Sequence, residues 1–138
     1  MSGGEDYDLT VKLAKDLNLY KSCVFTGVIK DTETREAFYQ IAKLFVFPSV
    51  CDNAPITILE AASQKTPTLC IQGTFPAEII TDEKNGYLSP LDENVFAEKI
   101  ISILNSDNLS QVGENAYKEL LNKDVYKKIL KQYKSLIK

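Results

Sequence analysis

FPSVCDNAPITILEAASQKTP, from Phe47 to Pro67, is the stretch that decides the fold. It opens on the end of an apolar run, LFVF (Leu44 to Phe47), whose length suits a buried parallel strand, and Pro48-Ser49 stops that strand. A helix is expected next. Asn53 supplies an N-cap, Pro55 falls in the first turn where its missing N–H is harmless, and Ile58, Leu59, Ala61 and Ala62 favour continuation. The start of such a helix presents unpaired backbone N–H groups and a partial positive charge, which suits a phosphate. Two carboxylates frame it: Asp52 in the loop, and Glu60 eight positions further on. Helical side chains lean toward the N-terminus, so the Glu60 carboxylate reaches a ligand seated there. The ordinary readings are a cap for Asp52 and a solvated face for Glu60. The apolar neighbours of Glu60 make a purely solvated face harder to draw.

Outward from this stretch, helical and strand patterns alternate. Asp6 to Leu17 reads as a helix with Leu9, Leu13, Ala14 and Leu17 inward, and Cys23 to Gly27 as a strand closed by glycine. Thr32 to Lys43 reads as a helix capped by Asp31 or Thr32, with Ala37, Phe38 and Ile41 facing the sheet. After the motif helix come a strand at Pro67 to Gln72, a loop at Gly73 to Pro76, a short helix at Ala77 to Thr81, and a strand at Gly86 to Leu88 behind an Asn85-Gly86 turn. Asp92 to Asn105 and Asn108 to Leu121 read as helices, the first opened by Asp92 and the second by Asn108 or Ser110. This order predicts an α/β fold, a parallel Rossmann-like sheet with helices on both faces.

At 138 residues the chain is read as a single domain, 1–138, large enough to bury roughly two-thirds of its extended surface. A net charge of -3 argues against a nucleic-acid surface, and the absence of histidine removes the commonest general base and metal ligand. Neither a CxxC pair nor an acidic cluster points to a metal, and no cofactor is implied. Cys23, Cys51 and Cys70 are an odd, unpatterned set, which suits reduced thiols and a cytoplasmic location. No apolar stretch approaches spanning length. Residues 122–138 differ in character: Val125, Tyr126, Ile129, Leu130, Tyr133, Leu136 and Ile137 recur at helical spacing while six lysines crowd the other side. A basic amphipathic helix of this kind either docks on the sheet with a solvated lysine face or lies on an anionic membrane surface.

The run from Pro48 to Pro67 resembles the acid-x7-acid element of the retaining GT-B glycosyltransferases of the group 1 family, which in many members reads like PS..(D/E)N.P.TILEA.A.GTP. The match extends outward. FTG (Phe25 to Gly27) is similar to the family's V.FTG strand end, AFYQIAKLFVFPS (Ala37 to Ser49) to its LY..AD.FVFPS, and PAEIITDEKNGYLSPLDE (Pro76 to Glu93) to its PE.I.DG.NGYLV...D. Several motifs in the right order are more specific than any one alone.

The resemblance implies the C-terminal, donor-binding half of a GT-B fold and a nucleotide-diphospho-sugar as substrate. It implies that Asp52, in the catalytic position, contacts hydroxyls of the donor sugar and that Glu60 holds the ribose hydroxyls. Asn53, Ala54, Ile56 and Thr57, with Gly27 and Gly73, would lie around the diphosphate. It further implies a partial domain, because the acceptor-binding N-terminal domain and the first two strands of the C-terminal domain have no counterpart here, and MSGGE (Met1 to Glu5) is similar to the segment that follows those strands. Strand edges left by that loss favour closure of Cys23 to Gly27 onto Leu44 to Phe47, or self-association. The expected function is donor binding within a hexosyltransferase-type glycosyltransferase of bacterial cell-surface polysaccharide, capsule or glycolipid synthesis. The chain alone is expected to be inactive. Its acceptor would be a glycan or lipid-linked glycan met through the missing domain, at the inner face of the cytoplasmic membrane. Two departures stand out: Lys65 where the family usually has glycine, and Gly73 alone where it has paired glycines, either of which would weaken donor binding if a side chain intruded. The alternatives are a nucleotide-sugar epimerase-like domain and a non-catalytic degenerate module that mediates protein contacts.

Overall fold

The computed structural model describes residues 5–50 and 56–122. The chain divides into two compact units, Met1–Arg35 and Glu36–Lys138. The expected helix at 122–138 lies outside the described residues, apart from Asn122, which caps the preceding helix.

In the first unit, α1 (Glu5–Asp16) is followed by a 3-10 turn at Tyr20–Ser22. An aromatic cluster ties them to the segment beyond: Tyr20 stacks on Phe25 at 5.7 Å, and Tyr7 meets the same ring edge-on at 6.2 Å. The Lys15 ammonium sits 5.1 Å from the centre of the Tyr20 ring. Two expectations fail here. Cys23 to Gly27 is not a strand: Cys23 is extended, but the segment joins no ladder and Val24 is 83% exposed. A β-favouring run without a partner strand leaves its polar backbone to water and stays irregular. Without a strand there, the pairing expected with Leu44 to Phe47 is not among the ladders of the described residues. On α1, Ala14 is buried, whereas Leu9, Leu13 and Leu17 are exposed, since a unit this small cannot close a core around a helix.

Helix α2 (Thr32–Ile41) begins under the Asp31 cap, whose Oδ2 accepts from the Thr34 N–H at 2.7 Å; the bonds from Thr34 hold that carboxyl below its usual range. The second unit then runs β1 (Phe45–Phe47), α3 (Ile56–Ser63), β2 (Thr68–Ile71), a 3-10 turn Phe75–Ile79, β3 (Tyr87–Ser89), α4 (Glu93–Leu104) and α5 (Leu109–Leu121). The three strands form a parallel sheet in the order β1-β2-β3, with Val46 opposite Leu69 and Leu69 opposite Tyr87. Every residue of β2 is buried. Alternation along the strands fills both faces. Cys70 and Leu88 pack with Phe45, Phe47, Ile58, Ala77 and Ile80 on one side. Leu69 and Tyr87 pack with Phe96, Ile103, Leu109 and Val112 on the other. Helix α3 and the 3-10 turn therefore cover one face and α4 and α5 the other, the α/β architecture that the alternating pattern predicts. The short helix expected at 77–81 is the 3-10 turn, opened two residues earlier with Pro76 near its start. On α2, Ala37, Phe38 and Ile41 are exposed, and it is Tyr39 that turns inward, edge-on to Phe45 at 5.3 Å and 88°.

Caps and loops pin the layers. Asp92 accepts from the N–H groups of Asn94 and Val95, both at 3.0 Å. Asn108 stands at the start of α5 but spends its Oδ1 on the hydroxyls of Tyr87 and Ser106. The turn before β3 has its left-handed residue at Glu83 (φ 61), not at Gly86. Buried Asn85 organises it: Oδ1 accepts from Thr81 N–H at 2.6 Å, and Nδ2 donates to the Ile79 carbonyl at 3.1 Å and to the Glu119 carboxylate on α5. Lys84 adds an ion pair to Glu119 at 3.1 Å.

Helix α5 approaches the α3–β2 connection at Gly113, where an added Cβ would stand 2.0 Å from the Lys65 carbonyl oxygen. Alanine is the better helix former, yet such an overlap forces the helix off the sheet. Gly113→Ala is expected to destabilise the chain by about 3 kcal/mol, read from urea unfolding. A loss under 1 kcal/mol would show that the approach is not required.

Candidate functional site

A helix that links two parallel strands runs back against them, so α3 starts at the carboxyl edge of the sheet, beyond the end of β1. Asp52, Asn53, Ala54 and Cys51, in the loop that leads into it, lie outside the described residues. Ile56 is exposed at the first described turn. Thr57 follows, with its Oγ1 buried and without a hydrogen-bond partner among the described residues. A buried hydroxyl in that state costs about 1–3 kcal/mol, and groups of this kind concentrate where a ligand completes the bond.

Glu60 is half-buried one turn further along, four residues after Ile56 and so on the same face. Its Oε2 accepts from the Tyr39 hydroxyl over 3.4 Å. Thr66 Oγ1 donates to the Tyr39 carbonyl at 2.6 Å, and Gln40 Nε2 to Gln64 Oε1 at 2.9 Å, so α2 is tied to both ends of the carboxylate's surroundings. Gly73 follows β2 with φ 77 and open space where a side chain would stand. It lines a recess of about 220 Å³ with Thr74, Ala77, Glu78 and Leu88. A second recess, of about 400 Å³, lies between Pro48, Ile71, Leu91, Asp92, Glu93 and Phe96, where the ends of all three strands meet the start of α4. Ile56, Thr57 and Glu60 share α3, and Gly73 lies in the same second unit, after β2. Gly27, also left-handed at φ 61, belongs to the first. Tyr39 is the residue that periodicity missed, although it stands at the tyrosine of the LY..AD pattern.

Lys65 does not intrude on the helix start. It adopts φ 60, the left-handed geometry for which glycine is favoured, two residues beyond the far end of a helix about 12 Å long. Its side chain turns to α5, with Nζ 2.9 Å from Glu114 and 5.2 Å from the centre of the Tyr117 ring. That pairing raises the lysine pKa and lowers the glutamate's, and both groups stay in solvent, where such pairs contribute little. The side-chain intrusion expected at this position is not seen; Lys65 points to α5. Cys70 is a core thiol, pushed up to about 12 by burial and so without nucleophilic character. Among the described residues no three His, Cys, Asp or Glu side chains converge on a point where a metal could sit.

In open α/β sheets ligands bind outside the carboxyl ends of the strands, and here that edge carries a helix start, a buried hydroxyl and a half-buried carboxylate. Residues 1–119 match the family described as Glycosyl transferases group 1, and the chain belongs to that family. It is 28% identical over 136 residues to the poly(ribitol-phosphate) alpha-N-acetylglucosaminyltransferase of Staphylococcus aureus (strain COL), an alignment that spans 96% of this chain and 27% of that protein. Among solved structures, the C-terminal domain of the group 1 glycosyl transferase LpcC from Francisella tularensis superposes with a TM-score of 0.70 at 26% identity, over 85% of this chain and 61% of that one. TarM superposes with a TM-score of 0.77 at 26% identity, over 96% of this chain and 27% of that one. The sheet and its helices are therefore those of a GT-B C-terminal domain. The chain spans about a quarter of the Staphylococcus relative's length.

Thr57→Val keeps the shape and removes the orphaned hydroxyl. Stability should hold or rise by up to about 1 kcal/mol in thermal unfolding, while nucleoside diphosphate affinity should fall by about 3- to 10-fold in calorimetric titration. An unchanged affinity would return Thr57 to the core.

Proposed function

We propose that this chain is the donor-binding part of a retaining glycosyltransferase, and that the edge of the sheet around α3 takes a nucleotide-diphospho-sugar. One observation carries the reading: in a chain of this family, Glu60 stands half-buried one turn inside the start of α3, near a Thr57 hydroxyl that has no partner among the described residues. A carboxylate accepts from two vicinal hydroxyls at once, which suits a ribose. The N–H groups of a helix start, around Ile56 and Thr57, hold a diphosphate without a metal. Asp52 and its neighbours Asn53 and Ala54 are assigned to the donor sugar and the phosphates by the same motif. Gly73, with φ 77 and open space where a side chain would stand, would allow close backbone approach.

The transferred group is a hexosyl unit in this reading, and the acceptor a cell-surface glycan or lipid-linked glycan. The Staphylococcus relative is named for transfer onto poly(ribitol-phosphate), which supports a cell-surface polymer as acceptor. Among the described residues no helix is long and apolar enough to cross a membrane.

Glu60→Ala is expected to weaken binding of UDP or GDP by about 1.5–3 kcal/mol with little loss of fold stability, and Asp52→Ala to affect the nucleotide-sugar more than the bare nucleotide. Calorimetric titration checks both, and equal, null effects on a binding-competent protein would overturn the assignment. A second expectation concerns turnover. The purified 138-residue chain by itself should transfer no sugar above background, as read by product formation from labelled nucleotide-sugars. Transfer that disappears in Glu60→Ala would instead show the chain to be sufficient by itself.

A further inference from the structure

A carboxylate that must meet two vicinal hydroxyls works only if its plane is set, and an unrestrained glutamate has three rotatable bonds along its side chain. The surroundings of Glu60 supply such a restraint. Tyr39 reaches it from α2, with the hydroxyl 3.4 Å from Oε2. The tyrosine is itself fixed at both ends: its ring lies edge-on against Phe45 at 5.3 Å, and its carbonyl accepts the Thr66 hydroxyl at 2.6 Å. Thr66 is 2% exposed and sits where α3 hands over to β2, so the same short connection anchors the tyrosine and closes the helix that carries the glutamate.

We propose that Tyr39 is a positioning residue for the donor site, holding the Glu60 carboxylate at the angle that receives the two ribose hydroxyls. The inference rests on the assignment of Glu60 to the ribose. At 3.4 Å the contact is long for a hydroxyl donating to a carboxylate, so its contribution to stability is small and its effect is on direction. It also separates two kinds of interaction with a nucleotide. The diphosphate meets the start of α3 without involving Tyr39, whereas the ribose depends on it through Glu60.

Tyr39→Phe isolates the hydroxyl, because the ring keeps its place on Phe45 and the bond from Thr66 goes to the main chain. The test is calorimetric titration of the 138-residue chain, as wild type, Tyr39→Phe, Glu60→Ala and the double variant, with UDP and GDP and with their 2',3'-dideoxy counterparts. Tyr39→Phe is expected to lower affinity for the ribonucleotides by about 3- to 10-fold and to leave the dideoxy nucleotides unchanged. In the Glu60→Ala background it should cost nothing further. Loss of both ribo- and dideoxy-nucleotide affinity alike, full additivity with Glu60→Ala, or no loss at all would overturn the positioning role and leave the donor-site reading standing. Absence of saturable nucleotide binding in the wild type would overturn the donor site itself, and the role of Tyr39 with it.

Discussion

The second unit depends on β2. It is paired on both sides and covered on both faces, and all four of its residues are buried. Such a strand has no solvated side to absorb an error, which is why it reads as a continuous apolar run and not as an alternating one. Its neighbours inherit their positions from it. Strand β1 is set by the register of Phe45 to Thr68, and β3 by that of Leu69 to Tyr87. Because β1 and β2 run the same way, the chain between them must return along the sheet, and the only compact route is α3. The start of α3 stands at the carboxyl edge as a consequence of parallel pairing, before any residue of the site is chosen.

That constraint also explains the division of labour within α3. Ile58, Ala61 and Ala62 are buried, so they fix the helix on its neighbours. Thr57 and Glu60 flank that buried stripe and are half-buried, close enough to the core to be oriented by it and near enough to the edge to meet a ligand. A helix with one rigid face and a polar border is a better platform for recognition than a loop, since its side chains keep their directions when the ligand is absent. At the far end, Gly113 lets α5 lie directly on the Lys65 carbonyl, which sets how deeply the helix sits.

The strand-helix-strand centre was legible because its signals are local and mutually consistent: a short apolar run, a proline stop, helix formers, and a second apolar run. The alternation of elements gave the sheet in the same way. What failed was whatever depended on partners distant in sequence. Cys23 to Gly27 has the composition of a strand, but composition does not provide a neighbour to pair with. The leucines of α1 form a clear stripe, and the small first unit leaves most of them exposed. On α2 the periodicity offers adjacent stripes: Ala37, Phe38 and Ile41 make the more apolar one, yet the inward one bears Tyr39, whose phenol hides a mostly apolar ring. The direction of the Lys65 side chain was set by a left-handed turn and by Glu114 and Tyr117, some fifty positions away, neither of which the motif contains. Of the candidate site, the motif put Glu60 and the start of α3 on one helix, while Tyr39, which meets Glu60 from α2, was not singled out by it.

The loop before β3 bears on how the molecule ages. An asparagine followed by glycine is the sequence most prone to spontaneous deamidation, in which the glycine nitrogen attacks the side-chain carbonyl carbon and ammonia leaves. Asn85 precedes Gly86, but its carbonyl oxygen is held by the Thr81 N–H and its amide by Ile79 and Glu119. Gly86 is packed against Ile80 and the Thr68 carbonyl. Neither partner can swing into the geometry that ring closure requires while the loop is formed. Conversion to aspartate would remove a donor and set a new negative charge against Glu119, so the same network that resists the reaction would be undone by it. The chemical lifetime of the folded chain is thus tied to how often the 81–86 loop opens away from α5.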